Sequence, residues 1–299
     1  MSKIGIIEFD KLEIGDRLMQ GNTYLREWRC PLPNLTDGYG MFHYCTNLKS
    51  WNIDLPSLDN GEDMFRQCFE LESFSSDLSN LTNAEWMFAG CSNLKSLTSD
   101  SNGSPVDLSN LKYGGYMFTG CKALTSWDID LPNLTNGYEM FAECSKLTSF
   151  SSDLSNLTNG YGMFYDCELL ENVTIKLKNL ENANSMFKDC GSLKTLRVDY
   201  YDYAPSGGID CREMFNGCDV RNMYLYISLL SERFFRVSDG RRMFGYPEEK
   251  DSNGNLTSNY VLNATQWGEL VAGRWWVHGA DNTRGAIFEA TVDSNIMVT

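Results

Sequence analysis

Residues 64–88 read MFRQCFELESFSSDLSNLTNAEWMF: a Met-Phe-x-x-Cys motif at Met64, a run that alternates apolar with polar, two further leucines, then Asn83 and the next Met-Phe pair at Met87. The motif stands at Met41, Met64, Met87, Met117, Met140, Met163, Met186 and Met214, in steps of 23, 23, 30, 23, 23, 23 and 28 residues. A short fixed period means that one small unit is copied and stacked, each copy burying its apolar face against the next. The expectation is a solenoid rather than a pocketed globular enzyme, with function spread along a surface.

Counted from each Met, the apolar residues fall in columns. The first unit runs Leu48-x-x-Trp51-x-Ile53-x-Leu55, the period-two signature of a strand with one buried side. Met-Phe-x-x-Cys packs two large residues and a thiol into five positions, which predicts a helical or 3-10 turn on the side opposite the strand. Asn followed by Gly or Ala at Asn60, Asn83, Asn136, Asn159 and Asn182 marks the turn into the next motif. The third unit keeps its later leucines as Leu108 and Leu111, displaced by seven positions, so residues 101–107 form an inserted loop. Trp127-Asp-Ile-Asp-Leu-Pro copies Trp51-Asn-Ile-Asp-Leu-Pro, and Phe150-Ser-Ser-Asp-Leu-Ser copies Phe74-Ser-Ser-Asp-Leu-Ser, both at an offset of 76, which points to duplication of a three-unit block.

The 23-residue period, with Phe-x-x-Cys-x-x-Leu followed by a Leu-x-x-apolar-x-apolar strand, resembles the BspA-like, Treponema-type leucine-rich repeats. The resemblance covers about residues 30 to 218. It implies a leucine-rich-repeat solenoid of parallel β-strands used for adhesion or protein recognition, on cell surfaces and in some phage or protist proteins. Two departures stand out: Met replaces the small residue that often precedes Phe, and Ser76, Ser99 and Ser152 occupy an apolar strand position. The expected organisation is an N-terminal cap over 1–29, the solenoid over 30–218, a degenerate repeat over 219–247 with Met243-Phe244, and a C-terminal cap or attachment region over 248–299.

A formal net charge of −15 repels nucleic-acid backbones and anionic membrane surfaces, so neither is expected as a partner. No apolar run of about 18 residues suggests membrane insertion. The opening MSKIGIIEFD lacks a basic start followed by a long apolar run, so the chain as given reads as not exported by a signal peptide. Either a leader was removed, or the protein is made in a cytosol, as a virion protein released by lysis would be. Of ten cysteines, eight occupy the motif, without the paired spacings of a disulfide framework or the Cys-x-x-Cys and nearby His of a zinc site. They read as a column of buried free thiols, with no metal and no cofactor. The only histidines are His43, expected to be exposed, and His278. With no nucleophile elbow, phosphate loop or dinucleotide fingerprint, and no carboxylate pair placed around a cleft, the chain is expected not to be an enzyme.

Outward-pointing strand residues form the candidate ligand-binding face: Ser50, Asn52 and Asp54; Ser73, Ser75 and Asp77; Asp100; Ser126, Asp128 and Asp130; Ser149, Ser151 and Asp153. Three readings compete for the Asp column. Each carboxylate accepts backbone N–H bonds at a strand end, or the column is an acidic stripe for a basic or hydroxyl-rich partner, or it binds divalent cations, for which a single column supplies few oxygens per site. Asn-x-Thr triplets at Asn34, Asn80, Asn133 and Asn156 share a repeat position and read as ladder residues before glycan acceptors. Trp267, Arg274, Trp275 and Trp276 either close the apolar end of the stack or attach the chain to a larger assembly. The chain therefore reads as a recognition or adhesion protein for a protein or a surface glycan, either a phage virion component of the tail or decoration class or an extracellular protein of the bacterial cell surface. The alternative is a structural spacer docking through its Trp-rich end.

Overall fold

The computed structural model describes residues 9–100, 102–200 and 209–219, together with the backbone of later strands within 224–288. Seven strands mark successive coils: β1 (Ser50–Trp51), β2 (Ser73–Ser75), β3 (Leu97–Thr98), β4 (Ser126–Trp127), β5 (Ser149–Leu154), β6 (Asn172–Leu177) and β7 (Thr195–Tyr200). Strand pairing is parallel and in step with the repeat, as in Ser50↔Ser73, Ser126↔Ser149 and Ser149↔Asn172. Parallel strands need a crossover between them, and here the rest of each coil supplies it.

A second ladder runs along the turn side. Single parallel bridges link Ile14, Asp37, Asn60, Asn83, Tyr113, Asn136, Asn159, Asn182 and Asp210, one residue per coil. Around it the backbone bonds from coil to coil: the amides of Gly38, Gly40, Phe42 and Tyr44 donate to the carbonyls of Asn60, Glu62, Met64 and Arg66 at 2.8–2.9 Å. Within a coil, Met41, His43 and Cys45 donate to the carbonyls three residues back, so the motif is a string of single 3-10-type turns. These turns never propagate into a helix; among the described residues the one regular helical element is the 3-10 turn Phe9–Lys11. The residues before the motif Met and before the motif Cys sit in left-handed conformation, for example Asp63 (φ 56°), Trp86 (60°), Gln67 (59°) and Asp166 (58°). A regular helix, about 10 Å across, would also force the coils apart.

Close coil spacing is what the core requires. Phe42, Phe65, Phe88, Phe118, Phe141, Phe164, Phe187 and Phe215 form one stack with centroids 5.2–5.9 Å apart. Trp51, Phe74, Trp127 and Phe150 on the strand side meet that stack edge-on or tilted at 4.7–5.4 Å. The Leu columns are fully buried, as Leu48, Leu55, Leu58, Leu71, Leu78 and Leu81 illustrate. Each motif thiol donates to the carbonyl of a residue one coil back, Cys68 to Phe42 at 3.3 Å and Cys144 to Phe118 at 3.2 Å. All ten cysteines are free. Buried Ser152 fits its apolar column because its hydroxyl donates to the Ile129 carbonyl at 2.9 Å.

The described residues at the N-terminal end are themselves built as a coil. Ile14 pairs with Asp37 and Glu27 with Ser50, and Gly15, Arg17, Met19 and Gly21 donate to the first motif coil at 2.7–2.8 Å. Leu18, Met19 and Asn22 stand where Met, Phe and Cys stand later, so the coil carries no motif. Phe9, Leu12, Met19 and Leu25 lie against the core, and Phe9 meets Trp28 edge-on at 5.0 Å. Beyond Cys218, β8 (Ile209–Asp210) and β7 are joined by β10 (Val237–Asp239) and β9 (Tyr224–Leu229), so both ladders continue. Asp239 lies four residues before Met243, as Asp210 lies four before Met214; Met243 and Phe244 themselves lie outside the described residues. Strands β11 (Trp275–His278) and β12 (Arg284–Phe288) pair antiparallel. No helix among the described residues is long and apolar enough to cross a membrane.

Candidate recognition face

The strand side presents the residues marked in the sequence. Ser50, Asn52, Asp54, Ser73, Ser126, Asp128, Asp130 and Ser151 are exposed, and Ser75, Asp77, Ser149 and Asp153 are half-buried. Strand alternation does this: Ser50 faces out while Trp51 is 1 % exposed, and Ser73 and Ser75 face out on either side of Phe74. An ion-paired rim borders the face, with Lys95 on Glu72 at 2.9 Å and Lys194 on Glu171 at 2.7 Å. At its far end the sign changes, as Lys176 meets Asp153 at 3.5 Å.

The Asp column accepts backbone N–H bonds, in two modes set by the residue two positions on. After Asp77 and Asp153 that residue is Ser79 or Ser155, whose amide donates to the carboxylate at 3.0 Å. After Asp54 and Asp130 it is Pro56 or Pro132, which has no amide hydrogen. Those two carboxylates instead accept the amides of Asp77 (3.2 Å) and Asp153 (2.8 Å) one coil further on. Asp100 leaves the column for the inserted loop, where its carboxylate takes the amides of Asn102 and Ser104 and the Ser104 hydroxyl. The Ser104 bonds hold its carboxyl below the usual carboxylate range.

The Asn-x-Thr asparagines are ladder residues. Asn80, Asn133 and Asn156 donate to the carbonyls of Pro56, Ser109 and Pro132 at 2.6–2.8 Å, each in the preceding coil. His43 is half-buried rather than exposed: it stacks on Tyr44 at 4.3 Å, its Nε2 is buried without a hydrogen-bond partner, and burial pulls its pKa down. Of the proposed attachment residues, Trp267 and Arg274 lie outside the described residues; Trp275 and Trp276 are placed, by backbone alone, in β11.

One feature escaped the sequence reading. On the turn side Trp86 stacks on Tyr116 at 3.8 Å and Tyr138 on Tyr161 at 4.7 Å, with the Arg66 guanidinium 4.2 Å over Trp86. Aromatics one or two positions before the motif Met in four successive units were the available signal. Ring-to-ring contacts of this kind brace neighbouring coils.

No curated protein and no solved structure matches the chain. The BspA type leucine rich repeat region matches residues 13–113 and 105–201 with six copies, so the coils that build this face place the chain in the BspA-type leucine-rich-repeat family.

Proposed function

We propose that the chain is a recognition protein whose strand face binds an extended partner, in an adhesive role at a bacterial cell surface or on a virion. Membership in a repeat family associated with protein interaction, adhesion and surface location supports the reading. The observation that carries it is a division of labour along each strand. Inward residues are at most 5 % exposed on β1 to β4, and the outward ones are short polar side chains repeated in register over several coils. A wall of this kind makes many shallow contacts and gains strength by repetition.

A protein and glycan array probed with the purified full chain tests this. Ser73→Arg combined with Ser149→Arg places two bulky cations on the face without touching the core, and is expected to abolish binding to the array hits while leaving the thermal midpoint unchanged. Binding that survives in this variant would move the recognition surface elsewhere.

A further inference from the structure

The strand face contains the same surface twice. Residues 48–58 recur as 124–134, with changes only at Lys49/Thr125, Asn52/Asp128 and Ser57/Asn133, and residues 71–83 recur as 147–159 with Glu72/Thr148 alone changed. Geometry repeats with sequence. The indoles of Trp51 and Trp127 donate to the carbonyls of Ile53 and Ile129 at 2.8 and 2.9 Å, and Leu55 and Leu131 donate to the carbonyls of Asp77 and Asp153 at 3.3 and 3.0 Å. The two carboxylate modes described above recur in the same order.

Between the two copies the inserted loop divides the sheet. Thr98 bridges Pro105 in the antiparallel sense, residues 102–105 are exposed, and β3 pairs with β2 while β4 pairs with β5. Beneath the division the stack is continuous: Phe88 lies on Phe118 at 5.6 Å and 4°, Cys121 donates to the Phe88 carbonyl at 3.3 Å, and Asn83 bridges Tyr113. The two copies are therefore held in fixed register, three coils apart, which is about 14 Å at the sheet spacing.

Packing does not demand this repetition of surface. The same outward positions hold Asn172, Thr174, Thr195 and Arg197 on coils whose strands pair over six residues, against two between the coils of each copy. We infer that the chain carries two equivalent sites, Ser50, Asn52, Ser73 and Ser75 in one and Ser126, Asp128, Ser149 and Ser151 in the other, which hold successive segments of one neutral linear polysaccharide. This rests on the strand face being the recognition surface. Two sites related by translation fit a ligand that itself repeats by translation, whereas a globular protein without internal repeats offers no second epitope at that offset. The chemistry agrees. Short hydroxyl, amide and carboxylate groups form hydrogen bonds to sugar hydroxyls, and none of the large exposed apolar residues, Phe69 and Tyr113 among them, occupies these positions. The bordering carboxylates of Asp54, Asp77, Asp130 and Asp153 disfavour a polyanion.

The probes are soluble β-glucan, mannan, xylan and dextran, short and long oligosaccharides cut from each, and alginate as the polyanionic control, titrated calorimetrically into the full chain. The expected result is a neutral polysaccharide whose short oligosaccharides bind two per chain with similar affinity. Chains long enough to span both sites should bind one per protein and on the order of 100-fold more tightly. Ser50→Lys with Ser73→Lys, and separately Ser126→Lys with Ser149→Lys, should each leave one short oligosaccharide per chain and remove the gain with length; all four together should abolish binding. Preference for alginate, failure of every neutral probe, a single short oligosaccharide per chain, or dependence on one pair only would overturn the two-site inference. Should an array-identified protein ligand be lost in the fourfold variant while no polysaccharide binds, the two-site inference alone falls. Should polysaccharide binding survive the fourfold variant, the strand-face reading falls with it.

Discussion

At the scale of single residues, aspartate does two jobs along the strand face, and a proline decides which. Asp77 caps the backbone two residues on because Ser79 offers an amide; Asp54 faces Pro56 and reaches to the next coil. In both modes the carboxylate oxygen acts as an acceptor, which is why the structural reading of the Asp column accounts for the observed bonds. An acceptor role makes a sharp prediction. Asp77→Ala should cost about 1 kcal/mol, the usual value of such a side-chain bond to backbone, while Asp77→Asn, which keeps the acceptor, should cost less than half of that. Urea denaturation midpoints compare the two. Equal losses would mean that charge, and not hydrogen bonding, is what the fold uses at this position.

At the scale of the element, the turn-side ladder shows how one defect is bridged. Asn60, Asn83, Asn159 and Asn182 each accept, through Oδ1, the amide two residues on, and donate, through Nδ2, to the side chain one coil back at 3.0–3.1 Å. Tyr113 occupies this place in the fourth motif coil and has no side-chain amide to offer. Glu85 spans the gap, its Oε1 accepting from Asn136 at 3.1 Å across the backbone of Gly115, where a Cβ would stand 3.2 Å from that oxygen. Glu85→Ala should therefore cost about 1 kcal/mol, and adding Tyr113→Asn should recover more stability in that background than it yields alone, a coupling read by a double-mutant cycle in urea. Elements of this kind were partly legible. The Asn column, the Leu columns and the strand alternation could be read because each depends on residue type. Left-handed turns could not, because Gly40, Asp63, Trp86, Tyr116 and Glu139 share one conformation, φ 47–60°, without sharing chemistry. The first coil was hidden for a related reason: its backbone pairs like the others, but Leu18, Met19 and Asn22 leave no motif to see.

At the scale of the whole molecule, coils hydrogen-bond to their neighbours on both the strand and the turn side, and the thiols, each donating to the coil before it, form one continuous column inside the stack. Burial pushes the Cys45 thiol up to about 11 and those of Cys91, Cys144 and Cys218 to about 12, and it raises Cys68, Cys121, Cys167 and Cys190 in the same direction. On the turn side burial also lifts Tyr138, to about 12, and Tyr116 and Tyr161 in the same sense. Every one of these groups is an acid whose folded pKa exceeds its unfolded value. Well below the unfolded thiol pKa of about 8.5, at pH about 7 and under, the thiols are protonated in both states, so their contribution to stability is fully present and does not change with pH. Above that, unfolded thiols ionise while folded ones keep their protons, the unfolded state binds fewer protons, and stability falls by about 1.4 kcal/mol per pH unit for each thiol until the folded pKa is passed. The chain should thus hold its thermal midpoint from pH 6 to about 7.5 in reducing buffer, begin to lose it near pH 8.5 and fall steeply by pH 10.5, and Cys144→Ala, whatever it costs at pH 7, should make that decline shallower by one thiol. A midpoint that stays level to pH 10.5, or a Cys144→Ala variant that declines in parallel with the parent, would place the thiols in contact with water and dissolve the column on which the stack is built.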